Sequence, residues 1–237
     1  MTEPKTQPEN ELTQLADRFG SDKGSRKHRY TELYHMLFQP HRQRALTFLE
    51  MGLMIGGPEH GIDKDREVQE PPSVRMWLEY FPNAHIIGLD VSDFSAYETD
   101  RFSFYRCDMD KRDNIAEAAE AMTAAGQAPD IIIDDASHAS RHQQDAFLTL
   151  FPKLASGGLY IIEDLRWQPP VYEQLTPGFT RTSALFQTYV TDRKFTHSDP
   201  AYTEELNSLV PMMSGCFMFQ VRYNKTRRDQ VAVIHKL

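Results

Sequence analysis

The chain has 237 residues, a net charge of −8, 40% hydrophobic residues and 11% aromatic ones. That length suits one sizeable domain with a buried core, and the composition excludes a disordered chain. The acidic balance argues against a nucleic-acid binder, whose footprint is basic. Cys107 and Cys216 are the only cysteines and have no metal-type spacing, so a disulfide scaffold is excluded and a reduced, cytoplasmic setting is expected. No apolar run is long enough to span a membrane. Residues 1–11 are polar, with no apolar signal core, and read as a disordered tail.

Residues 12–19 read as a short helix and 20–25 as a turn-rich loop. Residues 30–38 carry Leu33, Tyr34, Leu37 and Phe38 at helical spacing and stop at Pro40. Together, residues 12–44 form a helical N-terminal cap segment ahead of the main domain, 45–237. Residues 46–52 are the first core strand. The polar stretch 58–72 is long for a strand-to-helix connection and is either a lid or a plain surface insertion. A helix at 73–81 places Val74, Trp77, Leu78 and Phe81 on one face.

Strands follow at 85–90, 102–108, 131–134 and 159–163. Helices alternate with them at 115–125 and 138–154, the latter ending at Gly157-Gly158, and a further helix covers 182–195. Strands at 216–223 and 230–235 close the chain as an antiparallel hairpin, because the turn between them is too short for a crossover. The basic residues Lys225 to Arg228 belong to that turn. Strand and helix in alternation predict an α/β fold: a doubly wound, mostly parallel sheet with a C-terminal antiparallel hairpin.

Two strands in this pattern run into carboxylates. Ile131-Ile132-Ile133 stops at Asp134-Asp135, with His138 three residues on, and Tyr160-Ile161-Ile162 stops at Glu163-Asp164. Strand ends of a parallel sheet gather at its ligand-binding edge. Alternation sends Asp134 and Asp135 to opposite faces, Asp134 to the cofactor side and Asp135 to the substrate side. Asp135, Glu163 and Asp164 are hard oxygen donors suited to Mg²⁺; the plainer reading makes them helix caps and solvated loop charges. His138 is either a general base, titrating near neutral pH, or the first residue of its helix, capped by Ser137. His142 is the fallback base, and His28, His35, His41 and His60 read as surface or lid residues.

Gly52 follows the first strand, where a missing Cβ lets a ligand approach the backbone. Asp90 ends the second strand, where a carboxylate accepts from ribose hydroxyls, and Asp108 follows the third, beside an adenine position. The dinucleotide pattern G-x-G-x-x-G is absent, since Leu53, Met54 and Ile55 follow Gly52. An adenosine ligand without phosphates is favoured, S-adenosylmethionine first among them.

Leu49-Glu50-Met51-Gly52, Ser73-Val74-Arg75-Met76-Trp77, Gly88-Leu89-Asp90, Ile133-Asp134-Asp135-Ala136-Ser137-His138 and Ile161-Ile162-Glu163-Asp164-Leu165 occur in this order. With Phe19-Gly20-Ser21-Asp22-Lys23-Gly24 and Tyr30-Thr31, they resemble the metal-dependent sugar O-methyltransferases of macrolide and related natural-product pathways, the mycinamicin and macrocin type. The resemblance covers residues 15–165 and, more loosely, the final hairpin. It implies a Rossmann-like class I methyltransferase fold, S-adenosylmethionine, and Mg²⁺ at Asp135, Glu163 and Asp164. It further implies His138 as base and Glu50, Asp90, Asp108 and Ser73 as cofactor contacts. The expected partner is a small-molecule hydroxyl acceptor, a sugar or natural product, with no nucleic acid and no membrane, and the chain is expected to self-associate.

Ala136 replaces the family's usual glycine, and the family's large N-terminal auxiliary region has no counterpart in the sequence. Residues 58–72 and 166–170 also differ, so the macrolide acceptor does not carry over. Two alternatives remain: another enzyme on the same scaffold, of the cephalosporin-hydroxylase kind, and a non-catalytic cofactor-binding partner protein.

Overall fold

The computed structural model describes residues 9–221 and 229–237. The polar tail ahead of residue 9 and the basic turn at 225–228 lie outside the described residues. The strands are β1 (Thr47–Met51), β2 (His85–Asp90), β3 (Phe102–Arg106), β4 (Ile131–Asp134), β5 (Leu159–Ile162), β6 (Met213–Gln220) and β7 (Gln230–Lys236). They form one sheet in the order β3-β2-β1-β4-β5-β7-β6. The first five are parallel, and β7 runs antiparallel between β5 and β6. The doubly wound sheet with its closing hairpin is therefore as expected from the alternation of elements.

The helices are α1 (Glu11–Phe19), α2 (Tyr30–Phe38), α3 (Pro72–Tyr80), α4 (Arg112–Ala124), α5 (Ser140–Leu150), α6 (Pro170–Glu173), α7 (Thr182–Asp192) and α8 (Pro200–Leu209). Helix α8 carries a start signal not used above: Asp199 caps it by accepting from the Ala201 amide, with Pro200 at the first helical position. Helix α5 starts at Ser140, two residues later than expected, because His138 takes a left-handed backbone with φ 59°. That break keeps His138 out of the helix. Among the described residues, no helix is long and apolar enough to cross a membrane.

Pleat alternation divides the core between the two faces of the sheet. Phe48, Ile86, Ile133 and Ile161 meet Leu12, Tyr34 and Trp77 from α1, α2 and α3. Leu49, Met51, Ile132 and Tyr160 meet Ile115, Phe147, Leu185 and Leu206 from α4, α5, α7 and α8. Residues 12–44 thus share a core with the sheet. Phe38 and Met213 are buried, whereas Met36 is exposed.

Phe48 lies at the centre of the α1–α3 face. It is fully buried, 4.6 Å from the Trp77 ring and 5.5 Å from Phe81. Truncation there removes a large apolar group from a close-packed layer, so Phe48→Ala is expected to cost about 3–5 kcal/mol. Chemical denaturation monitored by Trp fluorescence checks this; a loss under about 1 kcal/mol would contradict the packing.

Candidate active site

A cavity of about 650 Å³ opens beyond the C-terminal ends of the parallel strands, where a doubly wound sheet binds its ligands. Gly52 is positioned by φ 81°, and a Cβ there would lie 2.2 Å from the Asp135 carbonyl oxygen. Only glycine lets the turn after β1 touch the loop after β4. Asp90 Oδ2 accepts from the Leu53 amide at 2.8 Å and Oδ1 from the Ser92 amide at 2.7 Å. Burial raises the Asp90 carboxyl, and these two amides partly offset that. Each oxygen keeps a second lone pair, so the carboxylate can also accept from a vicinal diol in the cavity. Asp108 lines the same cavity, half-buried and paired with Lys111 at 3.1 Å.

Two expected cofactor contacts stand behind the wall. Glu50 is fully buried, does not line the cavity, and accepts from Ser73 Oγ at 2.7 Å; Ser73 does line it. Burial lifts the Glu50 carboxyl to about 7, with Lys23 and Ser73 opposing. Asp134 and Asp135 face opposite sides, as alternation requires, but Asp134 turns into the layer beneath α4 and α5 instead of reaching the cavity. Its Oδ2 has no partner, and burial pushes its carboxyl up to about 7.

Asp135 and Glu163 turn toward the α1–α3 face, where they meet Lys23. The Lys23 ammonium bonds Asp135, lies 3.1 and 3.0 Å from the Glu163 oxygens, and is 3.6 Å from Glu50. Lys23 is 1% exposed. Burial lowers its proton affinity, yet Asp135, Glu163 and Glu50 outweigh burial and keep it charged. The Tyr34 hydroxyl also donates to Glu163.

On the cavity side, His138 Nε2 stands 3.5 Å from Asp164 Oδ2, and its ring meets Trp167 edge-on at 5.5 Å. The Tyr30 hydroxyl donates to Asp164 Oδ1, and His28 Nδ1 lies 3.6 Å from the same oxygen and 2.7 Å from Asp229 Oδ2. Burial raises Asp164, but His138, His28 and Tyr30 outweigh it and hold the carboxyl below its ordinary value. His28 is buried against the Tyr30 ring. The surface-or-lid expectation is therefore wrong for His28, because Asp229, far along the chain, supplies a partner that local spacing does not reveal.

A second network secures the loop that carries Asp135 and His138. Ser137 Oγ meets His142 Nδ1 at 2.7 Å, and His142 Nε2 meets Asp110 Oδ1 at 3.1 Å. Burial lowers the His142 pKa and so favours the neutral ring, which can donate at one nitrogen and accept at the other. This bridge ties the β4–α5 loop to the β3–α4 loop that bears Asp108.

Sequence reasoning missed Lys23, His28, Tyr30, Tyr34 and Asp229 as site residues. Lys23 and His28 fall in a turn without periodicity, and the tyrosines read as core. Of the expected metal ligands, Asp135 and Asp164 converge with His138, one donor atom from each lying within 4.8 Å of the others. Glu163 faces Lys23 and Tyr34 instead. Two carboxylates and an imidazole fit a divalent cation, and the neighbouring acids already hold one cation, the Lys23 ammonium.

No family profile matches the chain. The curated relatives it matches include the 8-demethyl-8-α-L-rhamnosyl tetracenomycin-C 2′-O-methyltransferase of Streptomyces olivaceus, 38% identical over 178 residues, which cover 74% of this chain and 43% of that protein. They also include the mycinamicin VI 2″-O-methyltransferase of Micromonospora griseorubida, 34% identical over 158 residues, 65% of this chain and 37% of that protein. The chain thus spans about two-fifths of the length of these relatives. The MycE methyltransferase of the mycinamycin biosynthetic pathway, solved with Mg, SAH and mycinamycin VI, matches with a TM-score of 0.68 at 25% identity. That match covers 96% of this chain and 55% of MycE. The fold is that of the class I methyltransferases, and the homologues are sugar O-methyltransferases.

The raised Asp134 carboxyl predicts a pH effect. An acid whose folded pKa lies near 7, above its usual 3.8, gives stability that is full below the unfolded value and lost as pH rises through 7. Asp134→Asn abolishes that loss. Between pH 4 and pH 8 the variant is expected to gain on the order of 4 kcal/mol relative to the parent. Urea unfolding at both pH values checks this; parallel pH slopes for the two proteins would refute it.

Proposed function

We propose that the chain is an S-adenosylmethionine-dependent, Mg²⁺-assisted O-methyltransferase acting on a hydroxyl of a sugar moiety or small natural product. The observation that carries this reading is a single cavity lined both by the Gly52–Asp90–Asp108 edge and by His138 with Asp135 and Asp164. Gly52, Asp90, Asp108 and Ser73 hold the cofactor, with Glu50 fixing Ser73. Asp135 and Asp164 hold the divalent cation, and Glu163 belongs to the same acid cluster. When bound, the cofactor supplies an electrophilic methyl group and the cation supplies charge stabilisation for a developing alkoxide.

The chain's own residues do the rest. His138 Nδ1 is buried without a partner, which leaves Nε2, beside Asp164, to take the acceptor's hydroxyl proton. Asp164, held ionised, orients that ring. Residues 12–44 act as a cap on the domain 45–237 and bring Lys23, His28, Tyr30 and Tyr34 to the site. His60 stacks on Trp167 at 5.5 Å, which joins the 58–72 stretch to the loop after β5 and supports a lid that excludes water. Cys107 and Cys216 are free, in keeping with cytoplasmic residence. Met36, exposed on α2, is available for contact between copies.

Formation of S-adenosylhomocysteine on a panel of rhamnosylated and other sugar-bearing acceptors tests the reading. His138→Ala is expected to lower kcat by about 10²–10⁴-fold while S-adenosylhomocysteine affinity stays within about twofold. Equal loss of both would overturn the base assignment. Chelation is expected to remove the activity and Mg²⁺ to restore it; full turnover in chelator would exclude the metal's role.

A further inference from the structure

The acid cluster contains a cation that belongs to the chain itself. Glu50 from β1, Asp135 after β4 and Glu163 after β5 point to the same face of the sheet, and the Lys23 ammonium lies among all three. We propose that Lys23 is a tethered competitor for the divalent cation: its ammonium and the metal both claim the Asp135 carboxylate, and Lys23 thereby sets how tightly this chain binds metal. The inference rests on reading Asp135 as a metal-binding carboxylate.

Three observations support competition over coexistence. Asp135 is the one acid that both donates to the Asp135–His138–Asp164 group and bonds Lys23. One carboxylate facing two cations brings them within a few ångströms of each other, where their repulsion is strong in a partly desolvated site. Lys23 also lines the cavity, so its flexible stem gives the ammonium somewhere to withdraw without unfolding of the segment. The backbone around it is independently anchored: the Lys23 carbonyl accepts from the Thr31 amide at 3.1 Å, and the His28 amide donates to the Asp22 carbonyl at 2.9 Å. In the absence of metal, Lys23 pairs with all three acids and keeps the site assembled. A divalent ion, carrying twice the charge, displaces it.

The sign of the effect separates this role from a scaffolding one. A lysine that merely props up the site would weaken metal binding when removed; a competitor strengthens it. Calorimetric titration of Mn²⁺ and Mg²⁺ into the metal-stripped chain is expected to show at least about tenfold tighter binding by Lys23→Met. Lys23→Arg, which keeps the charge, should stay near the parent. Equal or weaker binding by Lys23→Met, with binding still lost in Asp135→Ala, would overturn the role of Lys23 and leave the metal site standing. No metal binding by either protein would overturn both readings.

Lys23→Met leaves buried acids unpaired and puts folding at risk, so a second measurement uses the parent protein. Acetylation of lysines with and without saturating Mg²⁺, read by mass spectrometry, is expected to rise several-fold at Lys23 on metal addition and to stay constant at the more exposed Lys27. Unchanged Lys23 labelling at metal saturation would overturn the displacement.

Discussion

The convergence of Glu50, Asp135 and Glu163 on one buried point is the constraint around which this fold is arranged. Strand pleating makes it unavoidable: each acid sits at or just past the end of a parallel strand, at a position that faces α1–α3. An ion removed from water costs several kcal/mol unless it is paired, and the strands that lead to these acids, β1, β4 and β5, contain no cationic residue. Lys23 supplies one from the loop between α1 and α2. The N-terminal segment is accordingly part of the site. Placing Lys23 requires α2 to lie where Tyr30 and Tyr34 reach Asp164 and Glu163, and where the Tyr30 ring backs His28.

The Gly52–Asp90 edge of the cavity is built by a different device, backbone contact. Gly52 lets the β1 turn press on the Asp135 carbonyl, and the Leu53 and Ser92 amides pin Asp90. The two halves of the site meet at Ser137, His142 and Asp110. That chain of hydrogen bonds joins the loop bearing His138 to the loop bearing Asp108. A neutral, buried histidine suits such a bridge, since it can donate and accept at once without bringing in a charge.

Local pattern carried much of this into view, and long-range pairing carried the remainder. The strand ends Asp90, Asp134 and Glu163 could be read because apolar β-branched runs stop at them, and the mostly parallel, doubly wound sheet follows from strand–helix alternation. Alternation also separated Asp134 from Asp135, although not the depth at which Asp134 is buried. Lys23 and His28 gave no such signal. Their roles depend on Asp135, Glu163 and Asp229, which lie more than 100 residues away, and sequence spacing says nothing about contacts of that range. Helix α8 had its cap and its proline in plain sight; its half-polar pattern obscured it.

The backbone itself marks where these side chains converge. Among the described residues, four non-glycine residues take a left-handed conformation, and three of them are Arg29, His138 and Asp164. Such a conformation costs free energy for an L-residue, so something must hold it. At Asp164 the holding bonds lie on either side: the Glu163 amide donates to the Asp134 carbonyl, and the Leu165 amide donates to the Gln230 carbonyl. At His138 the bridge from Ser137 to His142 fixes the loop. Arg29 turns the chain directly after His28. A relaxed backbone at His138 would continue α5 upstream and carry the imidazole along the helix surface. Strain at these three residues is therefore what brings His28, His138 and Asp164 together, and sheet, cap and hairpin each contribute bonds that sustain it.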